Sequence, residues 1–332
     1  MPQALSARSR RAFWPGCRHV HRRYDRRLVP AVHGRVPPQP PGEPPVSEPH
    51  EHRVQEFYDS ALHCYERIMG DRWHHADPDA LASGLSRLRG CEIIEERLAA
   101  LCGLRPGDRG LDFGSGIGGP TIHMARVTGA SFIGVTNNAR LTELARANAA
   151  RLGLADRVSF RTIDDLGYQA LPFPDAAFHA VTFFESVCHL SDKPALFREI
   201  ARVLIPGGRV AGIDWIQRPF GPYQSEAQIA AIMQPVNDAI TIPAHGTVAS
   251  YRVYLESAGL RVAIARDLYD SVLCWSTVQD DETPSWAGYE GPEQQMFRRG
   301  EEALAHARRA GIASLSYRRF CVAGCRARST RC

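Results

Sequence analysis

The chain has 332 residues, 44% hydrophobic and 23% charged, with a formal net charge of +4. That length suits one large α/β domain with insertions or two modest ones, and no stretch approaches the ~18 uncharged apolar residues of a membrane span. Nine Arg against the single Asp25 in residues 1–35 carry the positive charge. The remainder is net acidic, which excludes nucleic-acid binding by charge alone.

Nearly every basic residue is Arg, and Lys193 is the only lysine, a compositional bias rather than chemistry. Nine scattered Cys follow no secretory pattern, so reduced thiols in a cytoplasmic protein are expected. Cys321, Cys325 and Cys332 are read as thiols of a strand and tail, not as a metal site.

Residues 1–50 are basic and then rich in Pro between Val36 and Pro49, a composition that favours extended backbone. They are expected to be a disordered tail or the product of a mis-assigned start; a transit-like leader is the third reading. Residues 51–104 are expected to form an N-terminal helical lid, and 105–332 a core with a cap insertion at about 215–245. Val54, Phe57, Tyr58, Ala61, Leu62, Tyr65 and Ile68 form a helical stripe. A second helix is expected over about Ala80–Leu101. Strands and helices then alternate: strand Arg109–Phe113, helix Pro120–Thr128, strand Ala130–Val135, helix Ala139–Leu152, strand Val158–Ile163. Strand His179–Phe184, helix Lys193–Leu204 and strand Arg209–Asp214 follow. This order predicts a Rossmann-like sheet of about seven mostly parallel strands, covered by helices on both faces. A helix near Val248–Ser257 and a strand at Arg261–Asp267 resume the core after the insertion. An irregular stretch at 270–290, a helix near Pro292–Ala310 and a strand at Ser316–Val322 complete the expected elements.

The strongest motif runs from Gly110 to Pro120, a strand ending in a Gly-rich turn that opens a helix. Such a turn tolerates positive φ and lets backbone approach a ligand. Gly114-x-Gly116-x-x-Gly119 also fits a dinucleotide fingerprint, so a nicotinamide-dependent oxidoreductase is a rival reading. Two features count against it. The second strand ends in Thr136-Asn137-Asn138 with no carboxylate for a ribose, and Asp112 stands inside the first strand, placed for a ligand's ammonium group.

Leu111 through Gly119 resembles the first motif of the class I S-adenosylmethionine-dependent methyltransferases, and Leu204-Ile205-Pro206-Gly207-Gly208 resembles that family's turn before the fifth strand. The resemblance covers about residues 52–268. It implies S-adenosyl-L-methionine as cofactor, held by Asp112, Gly114, Ser115, Gly116, Gly118 and Glu185. Thr136, Asn137 and Asn138 would lie at the ribose and Asp164 at the adenine. His179 departs from the family pattern, which commonly has Asp there. Pro120, the ribose stretch, Glu185 through His189, and the entry from Tyr65 to Trp73-His74-His75 look most like sterol and prenyl-diphosphate C-methyltransferases.

Independently of resemblance, Glu185 stands at the carboxyl edge of the sheet, where open α/β folds bind ligands. A carboxylate there can stabilise the carbocation left by methylation of an alkene and accept its proton. Phe183, Phe184, Trp215, Phe220 and Tyr223 are candidates to face that cation. The alternative role for Glu185 is a structural carboxylate bonded to lid backbone. His189 is the rival base, suited to an O- or N-methyl acceptor of secondary metabolism. Tyr65, Trp73, His74 and Trp215 are expected to line the lid and substrate. Arg218, with Arg252, would serve an anionic substrate. No metal is required. The expected partner is a small molecule, with no nucleic acid and no membrane span, and a homodimer is the one assembly considered.

Overall fold

The computed structural model describes residues 50–163, 170–217, 225–268 and 318–326. The chain divides at Ser47/Glu48, and the fold described is that of the second unit. It opens with three helices: α1 (His50–Met69), α2 (Pro78–Ala82) and α3 (Arg87–Cys102). The single helix expected over about Ala80–Leu101 is thus two. Gly84 takes a φ of +80°, and Ser86 starts afresh as an N-cap that accepts from the Arg89 N–H. The apolar stripe runs through this break, so spacing alone hides it.

β1 (Arg109–Phe113), α4 (Gly119–Thr128), β2 (Ser131–Thr136), α5 (Ala139–Arg151) and β3 (Val158–Thr162) follow. β4 (Phe178–Phe184), α6 (Lys193–Val203) and β5 (Leu204–Ile216) complete the parallel part. The sheet order is β3-β2-β1-β4-β5-β7-β6, with β6 at Leu260–Asp267 and β7 at Arg318–Arg326. Parallel pairing stops at five strands, because β7 pairs antiparallel with both β5 and β6. Five of the seven described strands run parallel, so the sheet is mostly parallel as expected, but strand spacing does not reveal that the last strand inserts between β5 and β6. The expected helix near Pro292–Ala310 and the irregular stretch 270–290 lie outside the described residues.

Two apolar layers bury the sheet. Phe113, Val181 and Phe183 pack with Phe197 of α6 and with Tyr251 and Leu255 of α8 (Val248–Ser257). On the other face Phe132, Ala180 and Ala211 meet Ile94 and Leu98 of α3, Met124 of α4 and Ala145 of α5. Chain order reverses between β1 and β4, which are neighbours with Asp112 opposite Thr182. That reversal opens a crevice beyond the strands' carboxyl ends.

The segment expected as an irregular cap contains a further helix, α7 (Glu226–Ala239). A reciprocal capping box between Ser225 and Gln228 starts it. Pro235 inside the helix conceals it from a reading that treats Pro as a breaker. His179, the departure noted in the sequence, accepts the Arg109 N–H at 3.1 Å and lies 3.4 Å from Asp108 Oδ1.

β5 is tied to α8 by a buried polar contact: the Tyr251 hydroxyl donates to Asp214 Oδ2. Burial pushes the Asp214 carboxyl up to about 6 despite that hydrogen bond. Tyr251→Phe removes the donor and leaves a buried acceptor, so urea unfolding at pH 7 should show a loss of about 1–3 kcal/mol.

Candidate active site

Two adjoining clefts open at the carboxyl edge of the sheet. The larger encloses about 840 Å³, mouth included, and is lined by the turn after β1, the end of β2 and the end of β4. The smaller, about 490 Å³, is lined by Phe57, Tyr65, Met69, Trp215, Ile240 and Ile242 among others. Tyr58, Trp73, Glu185 and His189 line both.

The larger cleft is built by close backbone approach. Gly114 has a φ of +74°, and a Cβ there would stand 2.1 Å from the Ser186 Cβ. At Gly119 a Cβ would meet the Asp71 carbonyl oxygen at 1.9 Å, so only glycine lets the entry segment lie on the start of α4. Asp112 is buried, accepting from Thr121 Oγ1 at 2.5 Å and from Thr182 Oγ1 at 3.1 Å. Desolvation pushes its carboxyl up to about 7, against the pull of the two hydroxyls. Ser115 lines the same cleft, and its buried hydroxyl has no hydrogen-bond partner among the described residues. Gly116, Thr136 and Asn137 complete that wall.

The ribose stretch splits. The Asn137 carbonyl accepts from Gln55 of α1 at 2.5 Å. Asn138 leaves the cleft wall: its Oδ1 caps α5 on the Leu141 N–H at 3.0 Å, and its Nδ2 donates to Asp59 at 2.9 Å. The cap preference of Asn claims the side chain first. Gly118 does not line the cleft; a Cβ there would meet Phe160. Asp164, Arg218, Phe220 and Tyr223 lie outside the described residues.

Glu185 occupies the wall between the clefts. Its φ is +55°, a left-handed conformation that costs a non-glycine residue about 1–3 kcal/mol. Its N–H donates to the Ile213 carbonyl at 2.8 Å, holding the turn against β5. The His75 backbone N–H donates to Oε1 at 2.9 Å, and Trp215 Nε1 donates to Oε2 at 2.9 Å. Burial pushes the carboxyl well above the usual range. The bond to entry-segment backbone anticipated from sequence is present, on a carboxyl that also lines both clefts.

His189 follows on a 3-10 turn, Val187–His189. Its Nδ1 lies 2.9 Å from the Thr241 carbonyl and its Nε2 3.0 Å from the Tyr58 hydroxyl. A carbonyl can only accept, so Nδ1 carries the proton and Nε2 takes the Tyr58 hydrogen bond. Burial lowers the ring's pKa to about 4. Thr241 itself is held at φ +53°, a second strained residue on the same wall. Lys193, the lone lysine, donates to the Leu190 and Ala244 carbonyls at 2.8 and 2.9 Å, clamping the 240–245 segment to the turn that carries His189. Its compact ammonium suits two converging carbonyls better than a planar guanidinium would.

Trp73 stacks on Tyr58 at 6.0 Å between centroids, and Tyr65 meets it edge-on at 5.2 Å. His74 lines the larger cleft, but its nitrogens face the His75 carbonyl at 2.9 Å and Glu95 Oε1 at 3.0 Å, a structural commitment. Phe184 lines the larger cleft, whereas Phe183 turns into the core against Phe197, as strand alternation requires. Arg252 reaches neither cleft; it pairs with Glu256 at 3.4 Å on the exposed face of α8. Sequence reasoning missed Tyr58 and undervalued His75. Tyr58 carried a signal only as part of an aromatic stripe, which equally describes ordinary helix packing.

A methyltransferase-domain family model matches residues 111–212. The chain is 29% identical over 262 residues to the 27-O-demethylrifamycin SV methyltransferase of Amycolatopsis mediterranei, covering 78% of this chain and 89% of that one. It is 28% identical over 246 residues to the sterol 24-C-methyltransferase of Saccharomyces cerevisiae, covering 70% of this chain and 59% of the yeast protein. In fold it is similar to geranyl diphosphate C-methyltransferase of Streptomyces coelicolor A3(2), with a TM-score of 0.61 and 20% identity over 85% of this chain and all of that one.

The hydrogen-bond directions at His189 are testable. Nitrogen-detected NMR should show a neutral ring protonated at Nδ1 and charging only near pH 4. In Tyr58→Phe, which frees Nε2, the midpoint should rise.

Proposed function

We propose a substrate class and a proton acceptor for a chain that is a class I S-adenosylmethionine-dependent methyltransferase: it methylates a carbon of an uncharged, unsaturated small molecule of isoprenoid or sterol-like kind, and Glu185 takes the proton released. The cofactor supplies an electrophilic methyl group on a sulfonium. The residues of the larger cleft fit it: the Asp112 carboxyl for the ammonium end, the unpartnered Ser115 hydroxyl, the Gly116 turn, and the polar pair Thr136 and Asn137. A nicotinamide is not carried forward, because no carboxylate closes β2 and the matched family and relatives transfer methyl groups.

The observation that carries the reading is the position of Glu185 in the shared wall, beside an aromatic second cleft. Phe57, Tyr65, Trp73 and Trp215 offer ring faces to a developing carbocation and exclude water. Burial raises the Glu185 carboxyl, so it must first be ionised; the His75 and Trp215 N–H groups support the carboxylate, which then accepts the proton at a carboxyl oxygen as positive charge builds up beside it. Among the described residues no Arg or Lys lines either cleft, and the smaller one is lined mostly by aromatic and aliphatic side chains, which suit an apolar acceptor. The helices before β1 act as the lid, fastened by Gln55 to Asn137 and by the His75 N–H to Glu185.

O-methylation is the second reading, favoured by the neutral His189 whose Nε2 receives a hydroxyl hydrogen bond. An acceptor hydroxyl in place of Tyr58's would meet a ready base there.

Transfer of labelled methyl to a panel of sterols, acyclic olefins, prenyl diphosphates and phenols tests both readings. The first expects product with an uncharged olefin and a drop of about 10²–10⁴-fold in Glu185→Gln. Product with a phenol that survives Glu185→Gln would replace it with the second. Asp112 adds a pH signature. Cofactor affinity should fall as pH drops from 7 to 5, by up to ~tenfold per unit as the carboxyl protonates, and calorimetry of Asp112→Asn should show a weaker, flat profile.

A further inference from the structure

The wall between the clefts holds a second titratable side chain with a grip on Glu185. His75 is buried, lines the smaller cleft, and stands edge-on to Trp215 with 5.4 Å between ring centroids. Its backbone N–H bonds Oε1 at 2.9 Å, while its ring Nδ1 lies 3.3 Å from Oε2. One residue therefore reaches both carboxyl oxygens, and a two-point contact fixes the plane of a carboxyl as well as its place. The Trp215 indole shares Oε2 at 2.9 Å.

The polarity of these contacts is one-sided. The peptide N–H and the indole N–H can only donate, so each suits an ionised carboxylate. The ring is the one partner of the three whose role can reverse: protonated at Nδ1 it is a third donor, and with Nδ1 bare it accepts from a carboxylic acid. Other groups face the same carboxyl. Asp214 of β5 opposes its ionisation and Arg87 of α3 favours it. Tyr58 of α1, Cys91 of α3 and Cys188 are neutral groups that burial pushes upward.

We propose that His75 is the positioning residue of Glu185: its ring and backbone together hold the carboxyl in the wall between the clefts, and its ring sets whether that carboxyl is a carboxylate or an acid. The assignment builds on Glu185 as the proton acceptor, but its test needs no methyl acceptor and does not depend on that reading.

The full chain contains five Trp, so selective nitrogen-15 labelling gives five indole signals. The Trp215 signal is identified by its loss in Trp215→Phe, and its position reports the charge on Glu185. In the wild type it should move with pH in one step that Glu185→Gln abolishes. His75→Phe, or His75→Leu if the first variant does not fold, should raise the midpoint by about one pH unit or more. His75→Asn, whose amide nitrogen can occupy the place of Nδ1, should restore it. An unchanged midpoint in the Phe and Leu variants, or no step in any protein, overturns the proposal. Methyl transfer that survives Glu185→Gln would sink the base reading alone and leave the His75 result standing.

Discussion

A carboxyl group with almost no access to water sits where two clefts meet, and much of the surrounding architecture exists to keep it there. Burying an unpaired carboxylate is costly, so such a group must be paired or protonated. Glu185 meets that constraint through donors from two separate parts of the chain, the entry segment at His75 and the end of β5 at Trp215. A strained backbone presents it, and the bond from its N–H to Ile213 keeps that backbone from relaxing. Removing either donor segment would expose or strand the charge. The helices before the first strand are therefore part of the site and not a peripheral addition.

The larger cleft follows the logic of open parallel sheets. β1 and β4 lie side by side where chain order reverses, so Asp112, Ser115 and Glu185 converge from different loops onto one crevice. Glycines at 114 and 119 allow backbone and side chains to come closer than any Cβ would permit. The smaller cleft depends on longer reaches. Thr241 and Ala244 are drawn to the wall by His189 and Lys193, and Ile240 and Ile242 then close the smaller cleft. Lys193 stood out in the sequence as the single lysine, and its two carbonyl partners give it a physical role that composition could not.

Local signals were legible, and partnerships across the fold were not. The strand-turn-helix from Gly110 to Pro120 declares itself because glycines, Asp112 and Pro120 all lie within eleven residues. Glu185 was found because it ends a strand next to that turn. Position alone points Asn138 to the ribose, but position does not show that its side chain caps α5 and bonds Asp59. The break between α2 and α3 was hidden by an apolar stripe that continues across Gly84. Tyr58 and His75 contact partners 131 and 110 residues away, distances over which spacing carries no information.

The proposed function requires the crevice between β1 and β4 to hold S-adenosylmethionine through Asp112 and its neighbours. Calorimetric titration of the full chain with S-adenosylhomocysteine, with NADH as the control, tests it most directly. Saturable binding of S-adenosylhomocysteine at one site per chain, none of NADH, and loss of binding in Asp112→Ala are expected. Binding of NADH with no response to S-adenosylhomocysteine would contradict it.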